Sequence, residues 1–328
     1  VSLAAFHSRA IAAYVSRVLA TRLIAASYVF SGQMGQYVPD DFSGRLIADF
    51  VDVDSAKFEA YAATGAGARR WIDAREGRLL RAEEARLAAR AHVSLLVSDA
   101  EAALFRERLP AAMRTRAPVR VLRNGIDAGL FDPAVVSPAA PMQSFQSPRL
   151  IFTGQMDYPP NIAAARRAMD AILPRIRAVF PGASLHIVGR NPPKHLVARH
   201  GEDGCHVWGQ VPDMRQWLRA ADVALVPLGI ARGVQNKVLE AMAMGLPVVL
   251  SQGAATGIGA RDGRDFLIGE DDTALAQAVL DLLGDPARAG AMGAAARGFV
   301  LADASWDAAL APLPQIVGIS GRSDRHAA

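Results

Sequence analysis

Residues 231–249, ARGVQNKVLEAMAMGLPVV, gather glycine, two cations and a carboxylate into one turn and one helical pattern. An apolar run at 223–228 leads to Gly233, a helical pattern opens near Val234 and closes at Gly245, and an apolar run restarts at 247–251. Strand, glycine turn, helix and strand predict a helix N-terminus at the carboxyl edge of a parallel sheet. Unpaired N–H groups and the positive end of the helix dipole meet there, which suits an anion such as a diphosphate. Arg232 and Lys237 add full positive charges, and Glu240 lies further down the helix. A carboxylate beside two cations can accept hydrogen bonds from a ribose or sugar diol while the cations hold phosphate. Spacing alone serves equally well for an ordinary βαβ unit with a salt-bridged surface helix.

The same segment resembles the donor-site signature of the retaining, nucleotide-sugar-dependent glycosyltransferases of the GT-B fold, in the large family 4 group. Most of that group carries Glu-x7-Glu; here the second Glu is Glu240 and the first position is Arg232. Gly233, Lys237 and the run from Glu240 to Gly245 match a branch in which those residues carry the site. With FTGQMDYPPN and DFVDVDS upstream, the wording is similar to sugar transferases associated with PEP-CTERM exopolysaccharide systems. The resemblance implies a donor site that includes Gly233, Val234, Gln235 and Glu240, with Arg232 and Lys237 acting on the leaving diphosphate.

Two further loops join that site by the same resemblance. In the main family the loop at 152–161 supplies an arginine and then a lysine, whereas Gln155 stands in the arginine's place here and no lysine follows. The phosphate charge then falls to Arg232, Lys237 and Arg190; Gly154 becomes a close-approach glycine, and Gln155 serves as a polar contact or a structural turn. Strands ending at Val188 and Trp208 put their loops at carboxyl ends, where α/β sheets hold ligands. The resemblance implies that these loops flank the nucleotide base, with Gly189 admitting backbone close to the ring and Arg190 touching phosphate or base. Trp208 is expected to pack between domains.

Asp52-Val53-Asp54 is a different kind of candidate. Asp-x-Asp is the metal motif of GT-A glycosyltransferases, and on a strand the two carboxylates point the same way. The surrounding elements resemble GT-B, whose donor sites use protein cations and helix dipoles, so no metal ion and no cofactor is expected. Asp52 is then the candidate catalytic or acceptor-side acid, beside the plainer reading that the pair caps a helix starting at Ser55. The seven histidines match no zinc spacing, and no nucleophile elbow, Walker loop or dinucleotide fingerprint occurs in its required context.

Composition bounds the rest. A chain of 328 residues with 51% hydrophobic and 21% charged residues is that of a globular protein of two domains. Its single cysteine, Cys205, excludes an internal disulfide and fits a reducing cytoplasm. No apolar run reaches the roughly 20 residues of a membrane span. Residues 1–125 carry 18 Lys+Arg against 13 Asp+Glu, while residues 126–328 carry 18 against 19. The basic excess reads as a solvated helical face, or as attraction to an anionic membrane surface or a lipid-diphosphate acceptor. Nucleic acid is disfavoured, because the basic residues lack interleaved aromatics.

These elements predict an α/β protein of GT-B type with two Rossmann-like doubly wound domains. Residues 1–130 form a partial amino-terminal, acceptor-side domain, and the proline-rich 131–148 a linker. Residues 149–302 form the donor-binding domain with six strands, and 303–318 a closing helix that returns to the first domain with Trp306 as its apolar anchor. Only four strands are legible in the first region, so by comparison with the resemblance its opening strand and glycine-rich loop are expected to be missing. The predicted activity is sugar transfer from a nucleoside-diphosphate sugar to a lipid-linked or glycan acceptor, in the cytoplasm or at the inner face of the membrane. The alternatives are a nucleotide-sugar epimerase and a non-catalytic nucleotide-sugar-binding remnant.

Overall fold

Short, largely apolar runs form strands of the kind that parallel sheets covered by helices require. In the computed structural model, which describes residues 2–229 and 233–319, two such sheets form. The chain divides into two compact units: unit 1 holds the described residues up to Arg123 and from Leu310 onward, and unit 2 those from Asn124 to Ala309.

Unit 1 carries a parallel sheet in the order β1 (Ala26–Phe30), β2 (Arg45–Val51), β3 (Val93–Leu96) and β4 (Val119–Val121). One face is filled by Leu46, Phe50, Leu87, Leu96 and Phe105, the other by Ile47, Val93, Leu95 and Ile316. Ile316 comes from the short helix Leu313–Val317, and its carbonyl accepts from Arg45 Nε at 2.8 Å. The expected closing helix is thus two short pieces, because prolines at 312 and 314 cannot continue a helix from Trp306–Leu310. Its buried anchor is Ile316; Trp306 stays 46% exposed and lies against Gly125. A Cβ on Gly125 would lie 2.6 Å from the Trp306 Cα, so that glycine is needed for space rather than for a left-handed turn.

Unit 2 carries β5 (Arg149–Thr153), β6 (Ser184–Val188), β7 (Cys205–Gly209), β8 (Val223–Val226), β9 (Val248–Ser251) and β10 (Leu267–Gly269). All pair in parallel in the order β10-β9-β8-β5-β6-β7. The order reverses direction between β5 and β8, which is the topological switch point of a doubly wound sheet. The proline-rich stretch read as a linker is not slack: Ala139 and Met142 are buried, and the Phe145 ring lies 4.2 Å from that of His206. Helix Pro286–Phe299 shows no apolar stripe in sequence because it packs through small residues. A Cβ on its Gly293 would lie 2.1 Å from the Gly245 carbonyl oxygen.

Candidate functional site

The switch point opens into a cavity of about 490 Å³. The turn after β5 supplies Gly154 and Gln155, the turn after β6 supplies Gly189 and Arg190, and the segment after β8 supplies Val234, Gln235, Lys237 and Glu240. Helix Asn236–Ala243 buries Val238, Leu239, Ala241, Met242 and Ala243, which leaves Lys237 and Glu240, three apart, on its cavity side. Left-handed Gly233, with φ of 65°, starts the turn into this helix, and left-handed Gly245, with φ of 67°, ends it. The Gln235 side chain turns back to the Gly233 carbonyl at 3.2 Å. Arg232 lies outside the described residues.

Asn161, which the sequence reading did not single out, organises the cation. Its Oδ1 accepts from Lys237 Nζ at 2.6 Å, and its Nδ2 donates to the Gln155 carbonyl at 2.9 Å. Lys237 Nζ also sits 4.8 Å from the centroid of the Phe152 ring. Both glycines here are crowded, Gly154 by the tips of the Lys237 and Asn161 side chains and Gly189 by backbone, where no side chain fits. A Cβ on Gly154 would lie 2.8 Å from Lys237 Nζ, and one on Gly189 would lie 1.6 Å from the Gly154 carbonyl oxygen. Gly189 therefore admits the neighbouring strand's backbone. With its amide oxygen turned to Arg190, Gln155 accepts from Nε at 2.9 Å and also from Nη2, so it steers that guanidinium. Thr153, Tyr158, Gln210, Val211, Met214 and Asn236 complete the lining; Thr153 ends β5 and Gln210 and Val211 directly follow β7, whereas Tyr158, Met214 and Asn236 lie further from any strand end.

Burial sets the electrostatics. It lowers the Lys237 ammonium to a pKa of about 8 despite the opposing pull of Glu240, and it raises the Glu240 carboxyl despite Lys237. A cation and an acid held partly desolvated are suited to a ligand that brings negative charge to one and hydroxyl donors to the other.

Asp52 belongs to unit 1, and the Asp-x-Asp pair is not on a strand. β2 ends at Val51, whose φ of 66° is a strained conformation for a β-branched residue, and Asp54 opens helix Asp54–Thr64. Neither aspartate caps that helix. Glu101 accepts the Val53 N–H at 2.8 Å and Glu84 the Ser55 N–H at 2.9 Å, while Asp54 accepts from Gln33 at 2.6 Å. Burial, then the neighbouring Asp54 charge, raise the Asp52 carboxyl above the usual range. Trp208, expected to pack between domains, packs against its own unit's residues: its indole N–H donates to His186 Nδ1 at 3.0 Å and its ring lies 4.8 Å from Trp217.

The architecture is shared with solved structures. Sucrose-phosphate synthase from Thermosynechococcus elongatus superposes with a TM-score of 0.63 at 19% identity, covering 93% of this chain and 76% of that one. HepE from Anabaena, solved with UDP-glucose, gives 0.64 at 14% identity over 93% and 80% of the two chains. The fold is GT-B. Within this GT-B chain, residues 147–285 match the family model described as glycosyl transferases group 1. Glycogen synthase of Mycobacterium tuberculosis is 28% identical over 64% of this chain and 50% of its own length. A GDP-mannose-dependent monoacylated phosphatidylinositol monomannoside mannosyltransferase of Corynebacterium glutamicum is 31% identical over 57% and 52%. The chain thus spans about half the length of these relatives.

Proposed function

We propose that this protein is a glycosyltransferase that takes a sugar from a nucleoside-diphosphate donor held in the unit 2 cavity. The observation that carries this reading is the meeting of Lys237, Glu240, Arg190 and two side-chain-free glycines at the switch point of the sheet. The diphosphate lies against Gly154, the start of helix Asn236–Ala243 and the Lys237 ammonium, and Glu240 accepts hydrogen bonds from the ribose. As the bond between the anomeric carbon and the diphosphate oxygen breaks, charge grows on the leaving oxygen. Fixed N–H dipoles and a desolvated cation then stabilise the transition state more than the ground state. Arg232 is a second cation for the leaving group, and no metal ion is required.

An acceptor hydroxyl bonds to the same carbon on the face the diphosphate leaves and passes its proton to the departing diphosphate oxygen, which retains the configuration; Asp52 is the candidate catalytic or acceptor-side acid. The donor-site relatives include enzymes of glycan and glycolipid synthesis, which supports a lipid-linked or glycan acceptor in cell-surface or exopolysaccharide assembly. No helix among the described residues is long and apolar enough to cross a membrane. We place the enzyme in the cytoplasm, with contact to the inner membrane face through the basic unit 1.

Product analysis with radiolabelled nucleotide sugars tests the activity. Incubation with a membrane-lipid extract or a glycan acceptor should release nucleoside diphosphate and label the acceptor. An epimerised sugar formed from donor alone would replace this reading with an epimerase, and binding without any turnover would leave a nucleotide-sugar-binding module.

A further inference from the structure

A second groove, of about 410 Å³, lies wholly within unit 1. Arg78, Arg81, Ala82 and Ala85 supply one wall at positions i, i+3, i+4 and i+7 of helix Gly67–Arg90, which is a single helical face. The opposite wall is the end of helix Asp99–Arg108 and the turn after it, with Arg108, Leu109, Pro110, Ala111 and Arg114. No acidic residue lines the groove.

The arginines of this region fall into two groups. Arg69, Arg75, Arg86 and Arg90, on the same long helix, each meet a carboxylate, and Arg108 is held by Glu59 at 2.6 Å. Arg81 and Arg114 are held by backbone carbonyls instead. Arg81 donates from Nε and Nη2 to the Arg108 carbonyl at 3.3 and 3.2 Å, and Arg114 donates from Nε to the Leu109 carbonyl at 3.1 Å. A carbonyl orients a guanidinium without cancelling its charge. Glu59, already occupied by Arg108, feels Arg81 only as a weaker coulombic influence. Among the described residues, Arg78, Arg81 and Arg114 form no ion pair.

We propose that this groove binds a phosphate group carried on a molecule with an apolar body. Oriented guanidiniums offer paired N–H donors that match phosphate oxygens, and their remaining N–H groups are available for bidentate contacts. Ala82, Ala85, Leu109 and Pro110 leave apolar space beside the cations, which suits the body of a phosphate ester rather than a bare ion. A phospholipid headgroup and a soluble phosphate ester share this chemistry. The site rests on unit 1 residues alone, so its failure would leave the donor-site reading untouched.

The test compares the full chain with Arg78→Gln/Arg81→Gln/Arg114→Gln, both carrying Lys237→Ala to silence the donor cavity. Calorimetry with phenyl phosphate, a phosphate ester with an apolar body, reads the soluble source. Sedimentation with vesicles of equimolar phosphatidylglycerol and phosphatidylcholine, against phosphatidylcholine alone, reads the headgroup. The triple variant should lose about tenfold in phenyl phosphate affinity, in binding to the anionic vesicles, or in both, as expected for lost charge-assisted hydrogen bonds. A loss only with phenyl phosphate assigns a soluble ester, and a loss only with vesicles assigns the lipid. The corresponding arginine-to-lysine set, which keeps the charge without the fork, should bind between the two and covers the case of a misfolded glutamine variant. Equal binding by the parent, lysine and glutamine forms in both assays would overturn the site.

Discussion

At the scale of residues, the Lys237–Asn161 pair makes the sharpest prediction. Desolvation holds the ligand-free Lys237 at a pKa of about 8, so above that pH the cation is lost before a diphosphate arrives. Nucleoside-diphosphate affinity measured by calorimetry should therefore fall as pH rises through 8, and Lys237→Arg should flatten the profile because arginine stays protonated. Stability should move the other way. Between about 8 and the ordinary lysine value of 10.5 the unfolded chain binds more protons, so folded stability rises with pH across that window. Opposite trends in binding and melting would separate the local charge effect from general unfolding. Asn161→Ala should weaken binding about tenfold and move the break in the profile to lower pH. Asn161→Asp should move it higher, since a carboxylate at 2.6 Å favours the ammonium; an unmoved break in both variants would remove Asn161 from its positioning role.

At the scale of elements, the two glycine turns and the histidine cluster are the places to press. Gly189→Ala would drive a Cβ to 1.6 Å from the Gly154 oxygen, and the β5 and β6 ends must then part. The cost should be about 3 kcal/mol in denaturant melts, whereas Gly284→Ala, with nothing within 4 Å of its Cβ, should be close to neutral. Between β6 and β7, His186 accepts from the Trp208 indole on Nδ1, so its proton sits on Nε2 against Ser184 Oγ. Burial, with lesser contributions from His206, Arg149 and His200 against Asp222, lowers its pKa from 6.5 to about 3. The unfolded chain then binds more protons between those values. Stability is full above pH 6.5 and drains away as pH falls towards 3, by an amount on the order of a few kcal/mol. His186→Gln should blunt that acid loss in pH-dependent melts; an unchanged acid slope would show that another group carries it.

The strands of unit 2 were legible because each is a short, largely apolar run, as burial on both faces demands, with Ser184 and His186 of β6 the polar exceptions held by a hydrogen bond to each other. Gly154, Gly189, Lys237 and Glu240 were legible because they sit at or just past strand ends or on one helix face. Asn161 was not, since only the fold brings it across 76 positions of chain to Lys237. The strand expected to carry the Asp52-Val53-Asp54 pair stops short for a local reason: the β2 bulge near Asp49 and the left-handed Val51 end it early. The Gly- and Ala-rich helix at Pro286–Phe299 was invisible to apolar periodicity because close backbone packing replaces large side chains.

At the scale of the whole molecule, charge and fold divide the work between units. Unit 2 carries the nearly neutral sequence and the cavity at its switch point, and unit 1 the basic excess with its arginine groove. The central claim is that the unit 2 cavity holds a nucleoside diphosphate. Calorimetric titration of the full chain with UDP and with GDP tests it most directly, alongside Lys237→Ala and Glu240→Ala. The account predicts saturable binding of at least one nucleotide, weakened about tenfold or more by each substitution as a charge-assisted contact is lost. Binding of unchanged affinity in both variants, or no binding of either nucleotide to the parent chain, would contradict it.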